Sequence, residues 1–227
     1  MKKAVVTGTS GNLGPLWVEA LQEMGFDVWG IDLPNVDVSN REQVMVHARL
    51  CKEMFGIPDV IICNAGKDNP PGSGTKFFTD YERIIEVNLF GTKNISEAFL
   101  PYMQENGGGV IIAVGSIMGK MAANYNYYED GFEKPSGYNS SKAGINHFME
   151  CLAVQYGQFN VRAGVAAFGP VDTGKFDPVF KEKILKRIPL GRLVSPRSVK
   201  NSLWPFLNIP ELTGQVLLVD GGMTLWL

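Results

Sequence analysis

Short apolar runs alternate with amphipathic stretches from one end of the chain to the other. Residues 4–7, 28–32, 60–63, 110–114, 161–167 and 215–219 are brief runs rich in Val, Ile, Ala and Leu, of strand length. Between them, residues 15–24, 40–55, 81–106, 138–159 and 196–207 carry apolar positions at helical spacing. Strands that are apolar on consecutive positions need cover on both faces, which a parallel sheet between two helical layers provides. The pattern predicts an α/β chain, a doubly wound parallel sheet in one domain spanning residues 1–227. Pro15 falls in the first turn of the first helix, where its missing N–H costs little, and Gly25 stops that helix.

One interval is too short for the pattern. Only Leu33-Pro-Asn-Val36 separates Asp32 from Asp37-Val38. A crossover to a parallel neighbour takes about a dozen residues. The helix between strands 2 and 3 is therefore expected to be shortened or missing, and any third strand vestigial.

Composition narrows the range of function. The 21 basic and 23 acidic residues nearly balance, so nothing points to nucleic acid or an anionic membrane surface. Cys51, Cys63 and Cys151 have neither metal-ligand spacing nor the even count of a disulfide framework, and suit a reducing compartment. His47 and His147 lack partners at ligand spacing, so no metal site is expected. The first residues hold too few apolar side chains for a secretory leader, and no run approaches the ~20 needed to span a bilayer. A soluble, cytoplasmic protein is expected, with no nucleic-acid or membrane partner.

The chemistry lies in two places. Gly8, Gly11 and Gly14 follow the first strand and open the first helix. Glycines there allow a tight turn and close approach of backbone to a pyrophosphate, although a plain strand-to-helix turn favours them too. Asp32 ends the second strand, where a carboxylate can accept both hydroxyls of an adenosine ribose and repel a 2′-phosphate. No Arg or Lys lies within 9–13 or 33–36 to reverse that preference, so NAD(H) is expected over NADP(H). The second place is Tyr138-Asn-Ser-Ser-Lys142. Residues four apart share a helix face, and an ammonium there favours the phenolate, lowering the tyrosine pKa from about 10. A nucleotide site with such a phenol suggests hydride transfer on an alcohol or carbonyl.

With these and further motifs in order along nearly its whole length, the chain resembles the short-chain dehydrogenase/reductase family, a Rossmann-like fold. Cys63-Asn-Ala-Gly66 is similar to the family motif beside the adenosine, here Asn64, Ala65 and Gly66. Asp37 and Val38 resemble the pair that touches the adenine, and Val87-Asn-Leu-Phe-Gly-Thr92 the segment carrying the active-site Asn, here Asn88. Gly115-Ser116 resembles the strand end with the catalytic serine. Residues 167–173 resemble the nicotinamide loop, with Gly169, Val171 and Thr173, and residues 188–192 and 213–222 resemble two C-terminal signatures. The resemblance implies that Tyr138 passes the proton at the substrate oxygen, Lys142 tunes it and holds the nicotinamide ribose, Ser116 binds the substrate oxygen, and Asn88 places a water. It implies cofactor contacts from Gly8, Ser10, Gly11, Asn12, Leu13, Gly14 and Asp32. It also implies a small-molecule alcohol or ketone substrate, and a homodimer or homotetramer formed through the helices at 81–106 and 138–159. The apolar end, 224–227, is expected to be buried, in a subunit contact.

Several residues depart from the family pattern. Asn12 replaces a glycine, and Phe168 replaces the proline of the nicotinamide loop. Ser116 and Tyr138 stand further apart than usual, and the extra segment holds Tyr125, Tyr127, Tyr128, Glu129, Asp130 and Phe132. It would either line the substrate pocket or form a surface or subunit contact. Similar expansions in family members of surface-sugar pathways point toward a sugar-like substrate. Residues 174–187 carry Lys181, Lys183, Lys186 and Arg187, which suit a solvated helix face or an anionic ligand group. Two rival functions stay open: an NADP-linked 3-oxoacyl reductase, and a nucleotide-sensing or structural protein without turnover. The second would be expected to lose Tyr138 or Lys142.

Overall fold

The computed structural model describes residues 2–69, 74, 76–124 and 133–225. In chain order they form β1 (Lys2–Thr7), α1 (Gly14–Glu23), β2 (Phe26–Ile31), α2 (Arg41–Met54) and β3 (Val60–Cys63). Then come α3 (Tyr81–Ile85), which runs through a π-type turn (Glu86–Phe90) into α4 (Gly91–Glu105), and β4 (Gly109–Ser116). α5 (Ser136–Tyr156), β5 (Val161–Phe168), α6 (Pro178–Leu185), α7 (Pro196–Asn201), α8 (Leu203–Asn208) and β6 (Gln215–Val219) complete the chain. The strands make one parallel sheet in the order β2-β1-β3-β4-β5-β6.

Successive side chains of a strand point to opposite faces, and the core divides accordingly. Val5, Ile61, Ile111 and Val165 pack beneath α2, α4 and α5, against Val44, Phe99 and Met149. Their neighbours Ala4, Val6, Ile62 and Ile112 face the other way, onto Trp17 and Leu21 of α1, Val199 of α7, and Leu203 and Phe206 of α8. The inner strands β1, β3, β4 and β5 are buried on both sides, which is why they read as unbroken apolar runs.

The short interval after β2 behaves as its length requires. Residues 32–40 contain neither helix nor strand, and β2 is the edge of the sheet. Val36 and Val38 are nonetheless buried in the core beneath α2, so they cap the sheet edge without pairing to it. The helix expected over 196–207 is two short ones. Pro205 has no N–H to offer the carbonyl of Asn201, and the chain breaks at Ser202. Residues 178–185 are helical, and the lysines there make local pairs, Lys181 with Asp172 at 3.3 Å and Lys186 with Glu182 at 2.8 Å. That is the solvated-face reading of this segment.

The sequence order β2-β1-β3 reverses direction at β1, so the turns leaving β1 and β3 diverge and open a crevice at their carboxyl ends. Leu225 is 75% exposed in the single chain, and residues 226 and 227 lie outside the described residues. So does the segment holding Tyr125, Tyr127, Tyr128, Glu129, Asp130 and Phe132. No described helix is long and apolar enough to cross a membrane.

Candidate active site

The crevice is built around Thr7 and Asn64. The buried Thr7 hydroxyl accepts from the backbone N–H groups of Asn64 (3.0 Å) and Ala65 (2.9 Å). The Asn64 side-chain amide donates to the Thr7 and Gly8 carbonyls, both at 2.9 Å, and its Oδ1 accepts from Trp17 Nε1 at 3.0 Å. The glycine turn is thereby fixed to the segment after β3. Gly8 has φ +67°, and a Cβ there would stand 2.8 Å from Ala65 Cα. At Gly14 a Cβ would stand 2.2 Å from the Gly8 carbonyl oxygen. Both glycines are therefore required by packing, Gly14 against the turn's own backbone and Gly8 against the segment after β3. Gly11 is different, since a Cβ there meets only the Gly8 carbonyl at 3.3 Å, and this glycine faces the crevice.

A cavity of about 410 Å³ runs from Asp32, Asp37 and Val38, past Gly8, Gly11, Asn12 and Leu13, to Ser116, Tyr138 and Lys142. Asn64, Ala65, Gly66, Gly169 and Val171 also line it. Thr173 lines a second cavity of about 610 Å³, which shares Ser116, Tyr138, Gly169 and Val171 with the first. Three expected residues line neither: Ser10, Gly14 and Asn88. Ser10 contributes instead through its backbone N–H, which donates to Asp32 Oδ2 at 2.5 Å. The other carboxylate oxygen of Asp32 accepts from Leu33 N at 2.8 Å. Burial would raise the pKa of Asp32, but these hydrogen bonds outweigh it and hold the carboxyl below its usual range.

Asn88 is wholly buried in the π-type turn between α3 and α4. Its Oδ1 accepts from Lys67 N at 2.7 Å, and Nδ2 donates to Lys67 O and Ser141 Oγ, both at 3.0 Å. Both amide hydrogens are thus committed to tying the segment after β3 to α5, one residue before Lys142. Lys142 projects from α5 into the interior, where Nζ donates to the Val114 carbonyl at 2.7 Å. Burial pushes its pKa down to about 8, with the charge of Asp68 acting the other way. Ser116 ends β4, and its Oγ accepts from Met118 N at 3.1 Å.

Some residues of the site escaped the reading of the sequence. Arg83 lines the crevice near Asp37 and binds Asp37 at 2.7 Å and Ser39 Oγ at 2.6 Å. Asp68 and Lys134 lie at the junction of the cavities, with Lys134 Nζ 2.6 Å from each carboxylate oxygen. Nothing local marks them, since they meet across 66 positions of chain. Phe168, the departure in the nicotinamide loop, is buried against Trp17 at 5.8 Å between ring centroids. Asn12, the departure in the glycine turn, accepts from Lys175 Nζ at 2.9 Å. Among the described residues, no group of three or more His, Cys, Asp or Glu could hold a metal ion. His47 accepts from Trp29 Nε1 at 2.8 Å, and His147 is exposed beside Glu150. The Cys63 thiol is buried in the core, which pushes its pKa up to about 12.

A carboxylate at one end, small residues and main chain in the middle, and a phenol with an ammonium at the other end fit a dinucleotide. Comparison with known proteins agrees. Residues 16–224 match the family model described as enoyl-(acyl carrier protein) reductase. An uncharacterised short-chain type dehydrogenase/reductase of Sinorhizobium fredii is 30% identical over 194 residues, covering 82% of this chain and 74% of the relative. A short chain dehydrogenase of Leptospira borgpetersenii, solved with bound NAD+, is 26% identical with a TM-score of 0.87, over 98% of this chain and 92% of that one. A gluconate 5-dehydrogenase of Burkholderia cenocepacia, solved with NADP and tartrate, has the same fold at 20% identity. Its TM-score is 0.85, over 100% of this chain and 96% of that one.

The buried ammonium of Lys142 makes a stability prediction for the ligand-free protein. Its folded pKa, about 8, lies below the ordinary 10.5, so the folded state carries the full cost of burying the charge below pH 8. The cost is relieved as pH rises from 8 toward 10.5, where the unfolded chain still binds the proton. Lys142→Met removes the charge and loses the Val114 hydrogen bond, for a net gain of about 1–2 kcal/mol at pH 7. Thermal melts should show the variant above the parent at pH 7, with the gap closing by pH 10. A variant that melts lower at pH 7 would contradict this.

Proposed function

The chain belongs to the short-chain dehydrogenase/reductase family, and we propose that it moves a hydride between NAD(H) and a secondary alcohol or its ketone. One observation carries this reading: a single crevice holds Asp32 at one end and Ser116, Tyr138 and Lys142 at the other. The nicotinamide supplies the hydride donor or acceptor when bound. Asp32, Asp37 and Val38 would hold the adenosine half, the glycine turn the pyrophosphate, and Gly169, Val171 and Thr173 the nicotinamide. Ser10 and Gly14 would act through the shape of that turn.

The remaining chemistry belongs to the side chains. Tyr138 gives or takes the proton at the substrate oxygen. Ser116 accepts from Met118 through its oxygen, which leaves its own hydrogen to donate to the substrate oxygen and offset charge developing there. Lys142 keeps an ammonium beneath the phenol, 5.7 Å from the ring centroid, and favours the phenolate. Asn88 fixes the distance between α5 and the segment after β3, and so places Lys142.

NAD(H) is favoured because the Asp32 carboxylate would meet a 2′-phosphate with like charge. Arg83, the cation at that end of the crevice, is engaged by Asp37. Arg83 is also the observation that favours a second reading, NADP-linked 3-oxoacyl reduction, if it turns from Asp37 to a phosphate. For the substrate, the larger cavity has walls of Met118, Met121, Phe176, Phe180, Ile184 and Met223. Such walls suit an alcohol with an apolar body better than a sugar hydroxylated on every carbon.

Two variants test the assignments. Tyr138→Phe should lower kcat for NAD+-linked oxidation of cyclic or branched secondary alcohols by a factor of about 100 or more. NADH affinity should stay within a few-fold, and retention of most of the rate would remove Tyr138 from proton transfer. Asp32→Ala should weaken NADH binding by about tenfold through loss of charged hydrogen bonds. It should also narrow the gap to NADPH in parallel fluorescence titrations, and an unchanged ratio of the two affinities would contradict the role given to Asp32.

A further inference from the structure

The cation nearest the Tyr138 ring is not Lys142. Lys134 Nζ stands 4.4 Å from the ring centroid, while Lys142 Nζ stands at 5.7 Å. Lys134 enters from the segment just before α5, and its side chain is only 8% exposed. Both oxygens of Asp68, in the segment after β3, grip the ammonium at 2.6 Å. A lysine has four flexible carbons and a strongly hydrated head, so holding it almost dry against a ring face takes a specific partner. Asp68 is that partner, and it belongs to the segment that Asn88 ties to α5.

We propose that Lys134, held by Asp68 over the ring of Tyr138, is a positioning residue that poises the phenol for proton transfer together with Lys142. A cation over an aromatic face is attracted by the electrons of the ring. That attraction grows when the phenol becomes a phenolate, because the new charge is shared with the ring. Two ammonium groups thus stand near the Tyr138 ring, one from its own helix and one from the chain before it.

Among the described residues, the other charges that line the two cavities are engaged elsewhere. Lys67 beside Asp68 pairs with Asp80 at 3.1 Å, Lys175 is bonded to Asn12, and Asp177 caps α6 through Phe180 N. Asp32, Asp37 and Arg83 sit at the far end of the crevice. Replacing Lys134 with a neutral residue therefore removes one positive charge and leaves Asp68 negative, and both changes disfavour the phenolate.

The inference rests on Tyr138 being the proton-transfer group, but its test needs no turnover. Protein labelled with 13C at the tyrosine ζ carbon is titrated by NMR, and the Tyr138 signal is identified by its loss in Tyr138→Phe. The parent midpoint should lie below the ordinary value of about 10. In Lys134→Gln it should rise by about one pH unit, and in Lys134→Arg, which keeps the charge, it should return to within a few tenths of the parent. Lys134→Met gives the same reading should Lys134→Gln fail to fold. An unmoved midpoint in the neutral variant, or a parent midpoint at or above the ordinary value, would overturn the inference. Loss of turnover in Tyr138→Phe with an unmoved midpoint in Lys134→Gln would remove Lys134 alone and leave the proposed function intact.

Discussion

The site depends on one knot of hydrogen bonds, where the Thr7 hydroxyl and the Asn64 side chain join the carboxyl ends of β1 and β3. Parallel strands that part at a switch point leave their last backbone groups unpaired, and buried unpaired groups cost about 1–3 kcal/mol each. Here those groups are paired by side chains instead of by a further strand. The same bonds hold the glycine turn open over the crevice and bring Trp17 of α1 down onto the sheet. A cavity wide enough for a dinucleotide follows from the way the sheet is finished.

From that knot the site extends along the segment after β3. Asn64 fixes its start, Lys67 is bound by Asn88, and Asp68 between Lys67 and Asn69 reaches across to Lys134. Asn88 in turn bonds Ser141, so the position of Lys142 is set by the same run of residues that lines the crevice after β3. The two ends of the crevice share one support. Its electrostatics run against stability: a lysine buried on α5, with its pKa pushed down to about 8, is a cost that a merely structural sheet would not carry.

Much of this was legible in the chain. Strands buried on both faces appear as unbroken apolar runs, and the four-residue interval after Asp32 ruled out a crossover helix. Tyr138 and Lys142 could be paired because helical spacing is local. Contacts across long stretches of chain carry no such mark. Asp68 with Lys134, and Arg83 with Asp37, are ordinary charged residues until the fold brings them together. The glycines were read for room at a pyrophosphate, whereas Gly14 is demanded by the turn's own packing and Gly8 by its close approach to Ala65, and a side chain at Gly11 would meet only the Gly8 carbonyl. Asp32 looked free to receive a ribose, yet its oxygens already accept from Ser10 and Leu33. The split at Ser202 follows from Pro205, a signal present in the sequence that the apolar spacing overrode.

The central claim is that this crevice holds a nicotinamide dinucleotide along its length, with the reacting ring beside Tyr138. A crystal structure of the protein with NAD+ tests it most directly. The adenosine should lie against Asp32, Asp37 and Val38, the pyrophosphate against the turn at Gly11, and the nicotinamide between Gly169 and Tyr138. Density for the dinucleotide elsewhere, or with its two halves exchanged, would contradict the account.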